Sequence, residues 1–420
     1  MKTRAHYHEL GTPPAKARTR LDPTLAIDGG TPVRTKPLPG PYPGALLMGR
    51  EEERAALEVI RSRSLFRYYG PAPLGKVLAF ETAFAARMGS RFALGVSSGT
   101  SALRIALMAT GVGRGDEVLV PAFSYIATAH EVLACGATPV FVEIDDTMLL
   151  DPSDLEGKIG PAAKAITPVH LFGSPADMDR ILPIAKAHGL RVIEDCAQSC
   201  GATWRGRPVG SLGDLGIFSF QLNKLITAGE GGAVITSDPE LHDRAVRLHD
   251  HGNYRFPGNL PNPHKGAPIF GENHRMSELA GAILGVQLGR LDDILRRTRA
   301  AKRFLVDRLS GVKGLTLARV LDAEGDAAAA VMMLAETPAL AKRIVAALQA
   351  EGIRAIQQYN GMPLYAYPQM VAAGYRAGQC PRSEALAARS IMLGLTSTFT
   401  KKDLCDIVKG IRKVFKAYCG

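Results

Sequence analysis

Between residues 90 and 236 the sequence repeats one unit: a short run of apolar residues, a turn, then a segment with helical periodicity. The runs occupy residues 92–97, 117–121, 138–142, 165–169 and 191–195, with two more at 215–219 and 232–236. They are dominated by apolar residues instead of alternating with polar ones, the pattern of strands covered on both faces. Helical patterns at 100–109, 127–135 and 177–188 lie between them. Strands joined by crossover helices lie parallel, so the alternation predicts an open, mostly parallel α/β sheet of about seven strands, flanked by helices on both sides.

Residues 51–62 and 76–88 read as amphipathic helices before the sheet, and 276–303 as a long helix after it. The last hundred residues alternate differently: 327–335 and 353–357 are strand-like, while 338–351 and 401–418 are helical. The expected organisation is therefore an arm over 1–25, a large domain over 26–300 and a smaller α+β domain over 301–420. No internal repeat is visible.

Charge raises a competing class of function. The chain of 420 residues carries a formal net charge of +11, which brings nucleic-acid binding into consideration. Residues 1–20 hold Lys2, Arg4, Lys16, Arg18 and Arg20 against Glu9, so +4 of the +11 sits in this tail. The remainder is spread without a dense basic run, a distribution suited to small anions and not to a polynucleotide. No apolar stretch follows the charges of the tail, so it reads as a disordered arm and not as a secretory signal. The longest uncharged stretch, 355–375, contains Gln357, Gln358, Asn360, Pro363 and Pro368, which excludes a membrane span. Six cysteines without CxxC or Cys/His spacing exclude a disulfide scaffold and a zinc site, and fit reduced thiols in the cytoplasm. No metal is expected.

Ligands of open α/β sheets bind beyond the carboxyl ends of the strands, so the polar residues there are informative. Ser97-Ser98-Gly99-Thr100-Ser101 stands between a strand and a helix, where unpaired N–H groups and the helix dipole suit a phosphate, although serine and threonine also cap most helices. Glu194-Asp195-Cys196-Ala197-Gln198 ends an apolar strand in two carboxylates, which need a cationic counterpart. Phe123-Ser124-Tyr125 offers aromatic faces. Lys224 lies among apolar residues in Phe218-Ser219-Phe220-Gln221-Leu222-Asn223-Lys224, followed by Thr227-Ala228-Gly229-Glu230-Gly231-Gly232. Desolvation lowers the pKa of such a lysine and suits it to Schiff-base chemistry.

Together these clusters resemble the pyridoxal 5'-phosphate (PLP) enzymes of fold type I, and more narrowly the DegT/StrS family of sugar and cyclitol aminotransferases. The matching stretches are SSGTSAL (97–103), GDEVLVPAFSYIATA (115–129), GATPVFVEID (136–145), PVHLFG (168–173), VIEDCAQSCGA (192–202), FSFQLNKLITAGEGGAVIT (218–236) and NHRMSELAGAI (273–283). The resemblance implies that Lys224 forms the Schiff base with PLP and moves protons, and that Asp195 pairs with the pyridine nitrogen. It further implies that Gln198 bonds the phenolic oxygen, Tyr125 stacks on the ring, and the amides of Gly99 and Thr100 with the Ser219 hydroxyl hold the phosphate. Asn273 would reach the phosphate of a partner subunit, making a homodimer with shared sites. His170, near the same edge, receives no role.

The resemblance implies amino transfer from glutamate or glutamine to a keto-sugar or keto-cyclitol, in secondary-metabolite or polysaccharide biosynthesis. Where sugar-nucleotide members carry a His-Tyr pair, this chain reads Gln357-Gln358-Tyr359-Asn360-Gly361-Met362-Pro363. The glutamine near Lys224 and the early Ile27-Asp28-Gly29-Gly30 stretch look more like members acting on cyclitols. The alternative is a PLP-dependent dehydratase or aromatising enzyme of the same family. Relatives that deoxygenate sugars replace the Schiff-base lysine with histidine, so Lys224 favours transamination.

Overall fold

The computed structural model describes residues 23–255 and 268–420. Most of the arm expected over 1–25 therefore lies outside the described residues. The first strands are β1 (Phe92–Val96), β2 (Glu117–Pro121), β3 (Thr138–Val142), β4 (Ala163–Ile166) and β5 (Arg191–Asp195). A two-residue hairpin, β6 (Thr203–Trp204) and β7 (Arg207–Pro208), precedes β8 (Leu215–Ser219) and β9 (Gly232–Thr236). The main sheet has seven strands in the order β1-β9-β8-β5-β4-β2-β3. β9 is antiparallel to both neighbours, β1 and β8, while β8, β5, β4, β2 and β3 pair in parallel. Six strands thus share one direction, and their carboxyl ends lie along one edge. The loops after β1, β2, β5 and β8 meet there.

The fourth strand differs from its expected bounds of 165–169. Pro168 has no N–H to give the ladder, so regular pairing stops at Ile166 and resumes only as a single bridge between Val169 and Asp195. The Pro168 carbonyl still accepts from the Asp195 amide at 2.9 Å, which helps hold the end of β5 in place.

Apolar side chains cover both faces of the sheet. On one side Phe84 meets Phe218 edge-on at 5.0 Å between ring centroids, and Phe80 meets Phe220 at 5.5 Å. On the other, the helix Gly99–Ala109 buries Leu103, Ile105 and Leu107 against Val118, Val120 and Val234. Burying an aromatic or aliphatic side chain of this size contributes about 1.5–3 kcal/mol, and the edge loops are fixed on this base.

The long helix runs Glu278–Leu309, capped by Ser277, whose hydroxyl accepts from the Ala280 amide at 3.2 Å. It continues past the expected end at 303 because Leu305 and Leu309 are buried in the C-terminal core. The boundary placed at 300/301 consequently falls inside one helix. Beyond it, β10 (Thr316–Leu317), β11 (Ala330–Leu334), β12 (Ala355–Ile356) and β13 (Ser390–Gly394) form an antiparallel sheet ordered β10-β11-β13-β12. β13 has no counterpart in the sequence reading, since no glycine or proline separates it from the helix Pro381–Arg389.

Residues 25–38 lie with this C-terminal unit, although the sequence reading joins them to the arm and the large domain. Leu25 is 3% exposed within the same core. Arg34 pairs with Asp403 at 2.7 Å and Asp406 at 3.1 Å. Glu351 accepts from the amides of Ala26 and Val33 and pairs with Lys413 at 2.8 Å. Among the described residues no helix is long and apolar enough to cross a membrane, and all six cysteines are free thiols.

Candidate active site

A cleft of about 710 Å³ opens at the carboxyl edge of the main sheet, against the C-terminal unit. Seven of the eight residues singled out from the sequence line it: Gly99, Thr100, Tyr125, Asp195, Gln198, Ser219 and Lys224. The eighth, Asn273, is exposed and does not line the cleft of its own chain. Its neighbour His274 does reach the loop after β1: its carbonyl accepts from the Ser97 amide at 2.8 Å, and its Nδ1 lies 3.1 Å from the Ser101 hydroxyl.

At one end of the cleft, Ser98 caps the helix Gly99–Ala109 by accepting from the Ser101 amide at 3.0 Å. The amides at 99 and 100 have no carbonyl within their own helix to reach, and the helix dipole adds positive potential there. Glycine is required at 99 by close approach: a Cβ there would stand 2.7 Å from the Ser219 Cβ. A Cβ at Gly232 would meet the Ser98 carbonyl oxygen at 2.3 Å. The tip of β9 thus presses the first turn of the helix toward Ser219. The result is an anion cradle.

The two carboxylates ending β5 face different surroundings. Glu194 accepts from the amides of Gly210, Leu212 and Gly213 at 2.7–2.8 Å, and His170 Nε2 lies 2.9 Å from its Oε2. His170 Nδ1 accepts from the Ala176 amide, so Nε2 carries the proton and donates to Glu194. That carboxylate is fully engaged inside the protein. Asp195 faces the cleft, where Oδ1 accepts from the Ala197 amide at 3.0 Å and Oδ2 from the Thr128 hydroxyl at 3.2 Å. Burial raises the Asp195 carboxyl above the usual carboxylate range, opposed by the Ala197 amide, Lys224 and Thr128.

Lys224 completes the site. Its loop is closed by the Thr227 hydroxyl donating to the Phe220 carbonyl at 2.8 Å and by the Phe220 amide donating to Gly231. Phe220, Leu225 and Ile226 are buried on either side of the turn, so packing aims the lysine, whose amine has no hydrogen-bond partner among the described residues. Burial lowers its ammonium below the ordinary lysine value, against the opposing charges of Asp195 and Glu230. A half-buried amine and a buried carboxylate thus line one cleft beside an anion cradle.

Comparison with known proteins gives the same answer from another direction. Residues 48–412 match the model of the DegT/DnrJ/EryC1/StrS aminotransferase family. The chain belongs to that family. The L-glutamine:2-deoxy-scyllo-inosose aminotransferase of Streptoalloteichus tenebrarius is 40% identical over 304 residues, 69% of each chain. The GDP-perosamine synthase of Caulobacter vibrioides is 48% identical, over 52% of this chain and 58% of its own length. The UDP-N-acetyl-3-dehydro-alpha-D-glucosamine 3-aminotransferase of Acidithiobacillus ferrooxidans is 38% identical over 80% of this chain and 87% of its own. Among solved structures, S. venezuelae DesV in complex with a ketimine intermediate superposes with a TM-score of 0.79 at 32% identity, covering 87% of this chain and 94% of that one. A 3-amino-5-hydroxybenzoic acid synthase gives 0.82 at 28% identity over 91% and 100%. These neighbours share the fold-type I architecture.

Within this family frame, the structure gives a place to Tyr359, quoted above only as part of the stretch that departs from the His-Tyr pair, and adds residues that the sequence did not mark. Tyr359, from the C-terminal unit, lines the cleft and accepts from Gln198 Nε2 at 2.8 Å, while the Gln198 carbonyl oxygen accepts from the Phe172 amide at 3.4 Å. The Tyr359 ring packs 5.3 Å from Phe123 and 6.3 Å from Phe172. Burial pushes its phenol well above the ordinary tyrosine value, so it is neutral. Pro41, Tyr42 and Pro43 form another wall. Of the three residues in Phe123-Ser124-Tyr125, only Tyr125 offers an exposed ring, at 56% accessibility, and Phe123 is core. Thr128, four residues after Ser124 and in the first turn of the helix Ala127–Ala134, also lines the cleft, and its hydroxyl donates to Asp195.

Proposed function

We propose that this chain is a PLP-dependent aminotransferase that moves an amino group from glutamine or glutamate to the ketone of a keto-cyclitol or keto-sugar, acting as a homodimer with shared sites. One observation carries the reading: Asp195 and Lys224 line the same cleft as the N-terminus of the helix Gly99–Ala109, where a Cβ at position 99 would collide with Ser219. That donor set fits PLP. The amides of Gly99 and Thr100 with the Ser219 hydroxyl would hold its phosphate, Asp195 its pyridinium, Gln198 its phenolic oxygen and Tyr125 one ring face. When bound, PLP supplies a covalent carbonyl handle for the amine and an electron sink for the carbon being deprotonated.

The chain supplies the rest. Lys224, whose proton affinity is reduced by burial, is the base and acid placed to move a proton at the substrate carbon. Asp195, at the end of β5, keeps a negative charge where a ring cation needs it. The wall of Pro41, Tyr42, Pro43 and Tyr359 limits water. Asn273, exposed and outside its own chain's cleft, is free to serve a neighbouring copy. Glutamine as donor and a cyclitol or sugar ketone as acceptor are supported by the relatives named above.

The test is spectroscopic. The PLP form is titrated with glutamine, glutamate and alanine, and the resulting pyridoxamine form is challenged with keto-cyclitols and keto-sugar nucleotides. Loss of the visible band with an amino acid and its return with one ketone class is the expected result. Consumption of a ketone with loss of water and no amine product would instead support the dehydratase reading.

A further inference from the structure

Asp195 is held on its second oxygen by a chain of hydroxyls that the reaction as described leaves unused. Thr128 Oγ1 lies 3.2 Å from Asp195 Oδ2, and Ser124 Oγ lies 3.1 Å from Thr128 Oγ1. Thr128 and Ser124 are each 1% exposed and Asp195 is 4% exposed. A hydroxyl has one proton. An ionised carboxylate only accepts, so the Thr128 proton goes to Asp195 and the Ser124 proton must go to Thr128. The two hydroxyls therefore point one way, from Ser124 through Thr128 to the carboxylate, and each donation strengthens the next. Thr128 sits in the first turn of the helix Ala127–Ala134, so its side chain is positioned by helix geometry and not by a mobile loop.

The geometry points to Thr128 as a positioning residue for Asp195. Its hydroxyl fixes the rotation of the carboxylate toward the ring nitrogen of the cofactor and lowers the carboxylate's proton affinity, with Ser124 as the second link. The part concerning the cofactor rests on the PLP reading above; the part concerning the carboxylate does not. The other groups that bear on Asp195 are Lys224 across the cleft, His170 from the segment after β4 and the Ala197 amide beyond β5. Thr128→Val replaces none of these groups.

Two measurements test this. In the first, the cofactor-free protein is titrated by infrared spectroscopy of the Asp195 carboxyl, assigned by its loss in Asp195→Asn. Thr128→Val should move the midpoint upward by about one pH unit, since a donor to the ionised form is lost, and Thr128→Ser should restore it. In the second, PLP affinity is measured by equilibrium dialysis. Thr128→Val should bind about tenfold more weakly, with Thr128→Ser within about twofold of the wild type. Should Thr128→Val fail to fold, Ser124→Ala takes its place, with a smaller upward shift expected. An unmoved midpoint in the folded variant overturns the inference. So does equal impairment of the valine and serine variants, which would assign the effect to the lost fit of the side chain. If the wild type itself does not bind PLP, the functional reading fails while the infrared titration still decides the role of Thr128.

Discussion

Gln198 Nε2 donates to the Tyr359 hydroxyl at 2.8 Å, across the gap between the loop after β5 and the C-terminal unit. The Gln198 carbonyl oxygen already accepts from the Phe172 amide, so the orientation of the amide is set from both ends. One N–H remains to point into the cleft. Tyr359 reaches this place through an unusual backbone: it and Asn360 both lie in the left-handed region, at φ 53° and 54°. For a non-glycine residue that conformation costs roughly 1–2 kcal/mol. The packing of its ring on Phe123 and Phe172 and the bond to Gln198 offset that strain.

Tyr359→Phe keeps the ring and removes the acceptor. Gln198 then loses its fixed orientation, and a net hydrogen bond of about 1 kcal/mol is lost. Stopped-flow measurement of the ketone half-reaction should show kcat/KM reduced about 5- to 30-fold, with the melting temperature little changed. Wild-type kinetics would mean that Gln198 is oriented by Phe172 alone.

Lys224→Ala should keep the phosphate cradle and bind PLP without a covalent link, losing turnover by about 10⁴-fold or more. Retained turnover would sink the assignment. Lys224→Met makes a separate point about stability. Burial lowers the folded-state pKa of Lys224, so the charged amine opposes folding at pH values below its ordinary titration range. Replacing it with an apolar side chain should raise the melting temperature of the cofactor-free protein by roughly 1–3 °C at pH 7, measured by calorimetry. A lower melting temperature would show that the ammonium is stabilised by its surroundings.

Asp195 has the opposite sign. Its folded-state pKa is raised, so its contribution to stability is fully present below the unfolded carboxyl pKa and is lost as pH rises through the folded value. Asp195→Asn has no such loss. In the cofactor-free state the variant should therefore gain on the wild type as pH is raised from acid to neutral, followed by chemical denaturation at each pH. With PLP bound, its rate should fall by roughly 10²–10⁴-fold, because a neutral amide cannot hold the ring proton. Near-normal turnover would reduce this carboxylate to a structural part.

The main sheet was legible because strands buried on both faces write themselves as continuous apolar runs. Five of the seven, at 117–121, 138–142, 191–195, 215–219 and 232–236, have the bounds read from sequence. The strand at 92–97 ends one residue early, and the fourth shifts because Pro168 cannot feed the ladder. That seven candidate site residues of the large domain would line one cleft was legible for a related reason: they lie in the loops that follow strand ends, where turn chemistry leaves few residue types. Tyr359 was not, since nothing local says that a left-handed pair in the C-terminal unit turns a ring back into the cleft. Nor was the placement of residues 25–38, which depends on Arg34 finding Asp403 and Asp406 some 370 residues later.

That long-range anchor makes its own prediction. The Arg34 side chain is 6% exposed and meets two carboxylates that are equally hidden. Removing Arg34 would leave Asp403 without its cation and Asp406 with only the exposed Lys402, 2.6 Å away, at a cost of about 3 kcal/mol. Arg34→Met should lower the denaturation midpoint accordingly. The triple change with Asp403→Asn and Asp406→Asn should recover most of the loss. Without that recovery, the packing of the Arg34 stem, not its charge, holds the segment in place.

The shared-site proposal is tested by mixing. Asn273 is exposed, outside the cleft of its own chain, yet one residue from His274, which touches the cradle loop. A two-fold axis would let such a segment serve the neighbouring copy. Asn273→Asp would put a carboxylate against the phosphate and cripple the site by like-charge repulsion. Lys224→Ala is inactive for a different reason. When the two variants are unfolded and refolded together, each heterodimer holds one site with both residues intact and one with neither. Random pairing makes about half of the dimers hybrid, so about one quarter of wild-type activity should return. If Lys224 and Asn273 serve the site of the same chain, every site stays damaged and mixing restores nothing. That result would reject the sharing of sites and leave the chemistry of Lys224 untouched.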